Sequence, residues 1–385
     1  MKLNPTVFNR QAFLTSYWQQ RPVVLKQGFD DFVDPVAPEI LAGLAMEEGV
    51  DARVVQCQQP DAPLGWKVTH GPFSDYEALG ESHWTLLVQS VNEWLPDVGE
   101  LLTAFDFLPE WRVDDVMVSF SCEDGGVGPH LDQYDVFIIQ GQGRRRWRVG
   151  DREAISSFQP CADLTLIEQE FTAVIDEVLE PGDILYIPAG CPHDGIALEP
   201  SLNYSVGFRA PSQAELLLQV GDLALQHDVF TRRYQDPELA ADNEHFVVDQ
   251  AQLQQAKQLL TDALSANTAD DLLMRVFSQS KRPLVEPDLP YTAEQVPELL
   301  RQQGTVISRA PGARWLQCKT TDSFYSNGER FEMNSKIRAF ALALAAIQQE
   351  QSASGIAELC DNAACADMFA ELLNMGTFAV FLDSD

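Results

Sequence analysis

Period two governs the middle of this chain. From Val113 to Phe208, short runs of alternating apolar and polar residues are separated by glycine turns. An antiparallel β domain produces that pattern and a helix does not. In Asp115-Val116-Met117-Val118-Ser119-Phe120-Ser121, one face carries Val116, Val118 and Phe120, and the other carries Asp115, Met117, Ser119 and Ser121. In Leu202-Asn203-Tyr204-Ser205-Val206-Gly207-Phe208, Asn203 and Ser205 alternate with Leu202, Tyr204, Val206 and Phe208. One face of each strand therefore packs on a hydrophobic layer while the other offers small polar groups. A small barrel with a ligand-holding interior has such faces. A solvent-facing wall shows the same alternation.

The chemistry lies in this segment. His130 and Asp132 form an H-x-D pair, and residues i and i+2 of a strand share a face, so imidazole and carboxylate can converge on one ion. Chance alone gives roughly half such a pair in a chain of this composition. Context adds weight: Gly125-Gly126-Val127-Gly128-Pro129 is a turn that delivers the pair to a strand mouth. A second histidine, His193, follows the turn Pro181-Gly182-Asp183, the strand Ile184-Leu185-Tyr186-Ile187 and the turn Pro188-Ala189-Gly190-Cys191-Pro192. Two histidines and one carboxylate with open positions make a set that suits Fe(II) in oxygen chemistry.

Arg145 joins them by the same period. In Arg144-Arg145-Arg146-Trp147-Arg148-Val149, the face holding Trp147 and Val149 is the buried one, and it carries Arg145 inward. A buried cation needs an anion. A dicarboxylate cosubstrate held bidentately would supply it, as would an internal Asp or Glu.

Pattern changes mark the rest of the chain. Residues from about 1 to 110 mix short helical patterns with strands such as Pro22-Val23-Val24-Leu25. After Pro211, Ser212 and Glu215 form a capping box ahead of Leu216-Leu217-Leu218, and helical periodicity continues to about Met274. Pro283, Pro287 and Pro290 mark a linker. The final hundred residues or so combine helices with the hairpin Phe324–Phe331, which has Asn327-Gly328 at its turn and implies a winged-helix-like module.

Charge and cysteine bound the role. With 58 acidic and 26 basic side chains, the formal net charge is −32. Such a surface repels phosphate backbones and anionic lipid, which argues against direct nucleic-acid or membrane binding and fits a strongly basic protein partner. Solubility alone also favours acidic surfaces. The seven cysteines include no C-x-x-C pair, the first ten residues have no apolar core of a signal, and no apolar run reaches bilayer length. The expected compartment is the reducing cytoplasm.

His130-Leu131-Asp132, His193, Arg145 and the frame Pro181-Gly182-Asp183-Ile184-Leu185-Tyr186-Ile187-Pro188 resemble the JmjC group of cupin-type Fe(II)/2-oxoglutarate oxygenases. Within that group the chain is most similar to the bacterial ribosomal oxygenases that hydroxylate an arginine of large-subunit ribosomal protein sixteen. The stretches Gly126–Phe137 and Asn203–Arg209 carry that likeness, together with Phe13-Leu14, Tyr17-Trp18 and Arg21-Pro22. The resemblance implies an α+β fold: a double-stranded β-helix (cupin/JmjC jelly roll), a helical dimerisation region and a C-terminal winged-helix-like domain. The implied limits are 1–211 for the oxygenase domain with its core at about 97–211, then 212–285, then 286–385.

The same resemblance implies roles. His130, Asp132 and His193 bind Fe(II). Arg145 pairs with the distal carboxylate of 2-oxoglutarate, helped by Ser119 or Ser121 and by Asn203. Asp115, Met117, Tyr134 and Ser205 hold the target arginine. The implied activity is a homodimeric protein hydroxylase using 2-oxoglutarate and O2, acting at C3 of an arginine in a basic large-subunit ribosomal protein and releasing succinate and CO2. The physics of the residues agrees: an inward Asp that is not itself a ligand is poised for a guanidinium, and Tyr and Met can enclose its stem. Two rivals are the same chemistry on a histidine of another ribosomal protein or as a demethylation, and a non-enzymatic cupin-scaffold adaptor.

Overall fold

The alternating segment folds into two antiparallel sheets that face one another. Numbered in chain order, the strands are β1 (Val23–Leu25), β2 (Ala52–Cys57), β3 (Trp66–His70), β4 (Trp84–Val88), β5 (Val113–Ser121), β6 (His130–Leu131) and β7 (Asp135–Gln140). They continue with β8 (Arg145–Gly150), β9 (Ser157–Cys161), β10 (Leu164–Ile167), β11 (Ala173–Leu179), β12 (Ile184–Ile187), β13 (Pro192–Ala197) and β14 (Ser201–Phe208). The larger sheet runs β1-β12-β7-β14-β5-β4-β2-β3 and the smaller β11-β8-β13-β6, while β9 and β10 form a separate hairpin. This computed structural model describes residues 1–57, 65–239, 244–347 and 350–382. It divides into two compact units, Met1–Ala210 and Pro211–Asp385.

The two faces of the larger sheet have different partners, as the alternation requires. Val116, Val118, Phe137, Ile139, Tyr186, Leu202, Tyr204, Val206 and Phe208 join one hydrophobic core with Phe13, Val98, Leu101 and Phe105 from the short helical segments of the first 110 residues. On the opposite face, Val136, Ile138, Leu185 and Ile187 pack on Trp147, Val149 and Leu179 of the smaller sheet. The polar members of β5 and β14 share that second face. Ser119 and Asn203 are 4% and 1% exposed, so this is an enclosed interior and not a solvent-facing wall. Strands β2, β3 and β4 widen the sheet beyond the cupin core and form part of its inner wall.

One buried ion pair fastens the start of β5 to the start of β7. Arg112 Nη2 donates to Asp135 Oδ2 at 2.8 Å, and its guanidinium lies over the Trp18 and Trp111 rings. Asp135 is fully buried and also accepts from the Tyr186 hydroxyl at 2.9 Å and Gln19 Nε2 at 3.2 Å.

The second unit begins where the capping box predicts. Ser212 Oγ accepts from the Glu215 backbone and Glu215 returns the bond, opening the helix Gln213–Gln226. Helices Gln250–Leu264 and Asn267–Ser278 follow. Strand Thr305–Arg309 pairs with Phe378–Leu382, and the helices Arg338–Ala345 and Ala363–Asn374 pack into the same core. The Asn327-Gly328 turn has φ of +45° and +85°, the left-handed pair that a two-residue hairpin needs. Its strands, Ser323–Ser326 and Glu329–Glu332, form the expected wing.

Candidate active site

His130 and His193 face each other across adjacent strands. β6 and β13 pair in the register His193↔His130, which sets the ring centroids 4.3 Å apart. Asp132, two residues beyond His130, brings its Oδ2 to 3.9 Å from His130 Nε2 and 3.6 Å from His193 Nε2. The three candidate ligand atoms lie within 4.8 Å of one another, the one such cluster of three among the described residues. Each imidazole is held from behind. His130 Nδ1 bonds the Gly128 carbonyl at 2.8 Å and His193 Nδ1 the Cys191 carbonyl at 3.0 Å. A carbonyl only accepts, so the proton sits on Nδ1 and the Nε2 lone pairs point at the shared centre. Gly128 has a φ of +76°, and a Cβ there would come within 2.8 Å of the Trp66 ring. His193 is 2% exposed, and burial, then the neighbouring His130, pushes its imidazole down to about 4. The neutral form is the one that ligates a cation.

A cavity of about 260 Å³ opens beside the triad. At its inner end Arg145, 4% exposed, donates from Nη1 to Ser119 Oγ at 3.2 Å. Its Nε and Nη2 reach Ser201 Oγ at 3.3 and 3.2 Å. Among the described residues no carboxylate lies within ion-pair distance of it, and burial alone pushes its guanidinium down to about 9. Asn203, adjacent in register to Ser119, has both amide atoms buried without a protein partner. A bare buried cation next to an unmatched amide calls for an acidic guest. Three protein ligands would leave an iron ion able to take further ligands, and all three residues line that same cavity. These residues therefore fit an iron ion and a dicarboxylate together.

The remaining expected site residues divide by position. Met117, Tyr134 and Ser205 line the cavity with Ser119, Asn203 and Arg145. Tyr134 is 40% exposed overall, yet its hydroxyl end is pushed well up, first by burial and then by Asp132, so it stays a donor. Of the two serines, Ser119 faces the cavity, whereas the Ser121 hydroxyl is fully buried against Thr85 Oγ at 2.7 Å. Asp115 lies on the same face of β5 but behind the cavity lining, its Oδ2 accepting from the Ser90 backbone and hydroxyl at 3.0 and 2.8 Å. Sequence reasoning missed Ser201, which opens β14 directly after a turn. It also missed Arg53, Leu87 and Gln89 from β2 and the end of β4, and Asp163 and Leu164 from the β9–β10 hairpin that forms one lip. The apolar run Trp84–Val88 was a visible signal for a doubly covered strand.

A triad carried on facing strands of a double-stranded β-helix, with an inward arginine behind it, defines a JmjC-type oxygenase. Residues 100–216 match the JmjC domain family and residues 254–379 the ROXA-like winged helix family. The chain belongs to the JmjC-domain ribosomal oxygenases. It is 42% identical over 371 residues to the ribosomal protein uL16 3-hydroxylase of Escherichia coli, spanning 96% of both chains. It is 34% identical to a probable ribosomal oxygenase of Haemophilus influenzae, over 84% of this chain and 82% of that one. Among solved structures it resembles the E. coli ribosomal oxygenase YcfD in complex with cobalt and 2-oxoglutarate: TM-score 0.85 and 40% identity, covering 98% of this chain and 99% of the other.

Proposed function

We propose that this chain is an Fe(II)- and 2-oxoglutarate-dependent protein hydroxylase that acts on C3 of an arginine side chain in a basic large-subunit ribosomal protein, the counterpart of uL16. The observation that carries the reading is the joint presence, in one cavity, of the His130–Asp132–His193 cluster and an Arg145 lacking a carboxylate. Bound at that cluster, iron(II) with 2-oxoglutarate and O2 supplies the oxidation of an unactivated C–H bond, with succinate and CO2 as coproducts.

The protein's own residues do the rest. The Gly128 and Cys191 carbonyls fix both imidazoles as Nε2 ligands. Arg145, Ser119 and Asn203 receive the distal carboxylate and so orient the cosubstrate. Ser201, accepting from Nε and Nη2, fixes the orientation of the Arg145 fork. Met117 and Tyr134 flank the stem of the incoming arginine, while Ser205 supplies a polar contact for its guanidinium and the Ser90-anchored Asp115 a negative charge behind the lining. Fixing one substrate carbon beside the metal is the entropic part of catalysis. The acidic surface draws in a basic protein at long range.

Residues 212–285 are assigned to homodimerisation and 286–385 to the winged-helix-like domain. Leu217, Leu218 and Leu225 are exposed on helix Gln213–Gln226, as are Leu253, Leu260 and Leu264 on Gln250–Leu264, and a second copy would cover them. No helix among the described residues is long and apolar enough to cross a membrane. A cytoplasmic enzyme that meets a ribosomal protein, without reading nucleic acid directly, accounts for these features.

Intact mass of ribosomal proteins from cells with and without the gene tests the reading. Loss of one oxygen atom's mass from the uL16 counterpart, mapped to one arginine, is expected. An unchanged mass, or a change mapping to a histidine, would overturn it.

A further inference from the structure

The cavity holds a second guanidinium that neither metal nor cosubstrate explains. Arg53, at the second position of β2, sits opposite Leu87 on β4 and opposite His70 on β3. Leu87 lies opposite Ser119, and Ser119 opposite Asn203. One row of side chains therefore crosses the sheet from the Arg145 end, through Ser119 and Leu87, to Arg53. With ~4.8 Å between strands, the Arg53 backbone stands about 10 Å from that of Ser119. The same lining includes Met117 and Gln89, two residues along the chain from Ser119 and Leu87 respectively, with Gln89 Nε2 donating to Met117 Sδ at 3.3 Å. Arg53 thus occupies the part of the cavity assigned above to the target side chain.

Among the described residues nothing satisfies the Arg53 Nε. The atom is shut off from solvent without a hydrogen-bond partner. Among the described residues Arg53 makes no ion pair, since the acidic group on the facing lip, Asp163, bonds His70 at 3.0 Å instead. This happens in a chain with 58 acidic and 26 basic residues, where a cation within reach of an anion would be easy to arrange. A partly buried donor with no acceptor marks a place for a guest's acceptor.

We infer that Arg53 is a substrate-positioning residue: its guanidinium donates to a main-chain carbonyl of the segment beside the target arginine and repels a second cationic side chain at that place. The inference rests on the arginine-hydroxylase reading above. A main-chain carbonyl is the acceptor every peptide brings, whereas side-chain carboxylates are scarce in a basic substrate. The repulsive half matters as much. An acidic protein surface alone would admit many registers of an Arg- and Lys-rich protein, and one fixed cation rejects those that place two cations side by side.

The test uses the full chain with Fe(II) and 2-oxoglutarate, and peptides spanning one target arginine with glycine or lysine as its neighbour. Binding is read anaerobically by fluorescence anisotropy and turnover in air by mass. For Arg53→Ala, peptide Kd and KM should rise about tenfold, with a smaller change in kcat and a KM for 2-oxoglutarate within about twofold of the parent. Arg53→Lys should restore part of the affinity, and the discrimination between glycine and lysine neighbours should shrink in Arg53→Ala. A folded Arg53→Ala with unaltered peptide affinity would overturn the inference. So would a KM for 2-oxoglutarate that moves in step with the peptide's. Failure of the parent enzyme to hydroxylate any arginine peptide would instead sink the underlying functional reading.

Discussion

Two buried arginines of the oxygenase unit, Arg112 and Arg145, differ in one respect. Arg112 meets a fully buried Asp135 at 2.8 Å and lies over the Trp18 and Trp111 rings. Arg145 meets only Ser119 and Ser201 hydroxyls and a Ser201 carbonyl, at 3.2 to 3.3 Å. The first is a closed structural joint. The second lacks its counter-charge, and it borders a cavity that also holds a metal-ligand cluster. Burial makes an arginine expensive in either place, so the difference lies in where the anion comes from. The fold supplies one and the cosubstrate the other.

Breaking the first joint should give the largest effect. Arg112→Met leaves Asp135 buried without its cation and should lower stability by about 3–5 kcal/mol in urea unfolding. A loss under about 1 kcal/mol would mean Arg112 is not the structural member of the comparison. For Arg145→Met, stability should hold or rise, because a bare buried charge is removed along with its desolvation cost. The affinity for 2-oxoglutarate should instead fall about 100-fold by calorimetry, in line with loss of a charge-assisted bidentate contact worth roughly 2–3 kcal/mol. At 100 times its Kd, 2-oxoglutarate should stabilise the metal-loaded parent by about 2.7 kcal/mol, and at the same concentration the Arg145→Met protein by under about 1 kcal/mol. Ser119→Ala and Ser121→Ala separate two residues on one strand face. The former should raise the KM for 2-oxoglutarate about fivefold, while the latter should cost about 1 kcal/mol of stability and leave that KM unchanged.

This contrast also shows what the sequence could and could not carry. Alternation alone sends Arg145 inward with Trp147 and Val149, and the structure has them so. It equally sends Ser119 and Ser121 to one face, but which hydroxyl is free for a guest depends on the neighbouring strand: Thr85 stands opposite Ser121 and takes its hydroxyl. The absence of an internal partner for Arg145 was not legible either, because a period describes one strand and not what faces it. His130, Asp132 and His193 could be grouped from the sequence as a ligand set, but 63 residues of chain separate the two histidines, and the β6–β13 register that sets them opposite one another was not legible. Arg53 was missed for a related reason. β2, Ala52–Cys57, lacks clean alternation, because both its faces are covered: Ala52 and Val54 join the main core, while Val55, on the same face as Arg53, packs with Leu164 and Leu166 of the β9–β10 lip.

The central claim is that Arg145 awaits the distal carboxylate of the cosubstrate. Calorimetric titration of metal-loaded protein, without oxygen, with 2-oxoglutarate and with 2-oxobutyrate tests it most directly, because the latter keeps the keto acid and lacks the distal carboxylate. The parent protein should prefer the dicarboxylate by about 100-fold, and Arg145→Met should bind both about equally. Equal binding of the two acids by the parent, or an undiminished preference in Arg145→Met, would contradict the account.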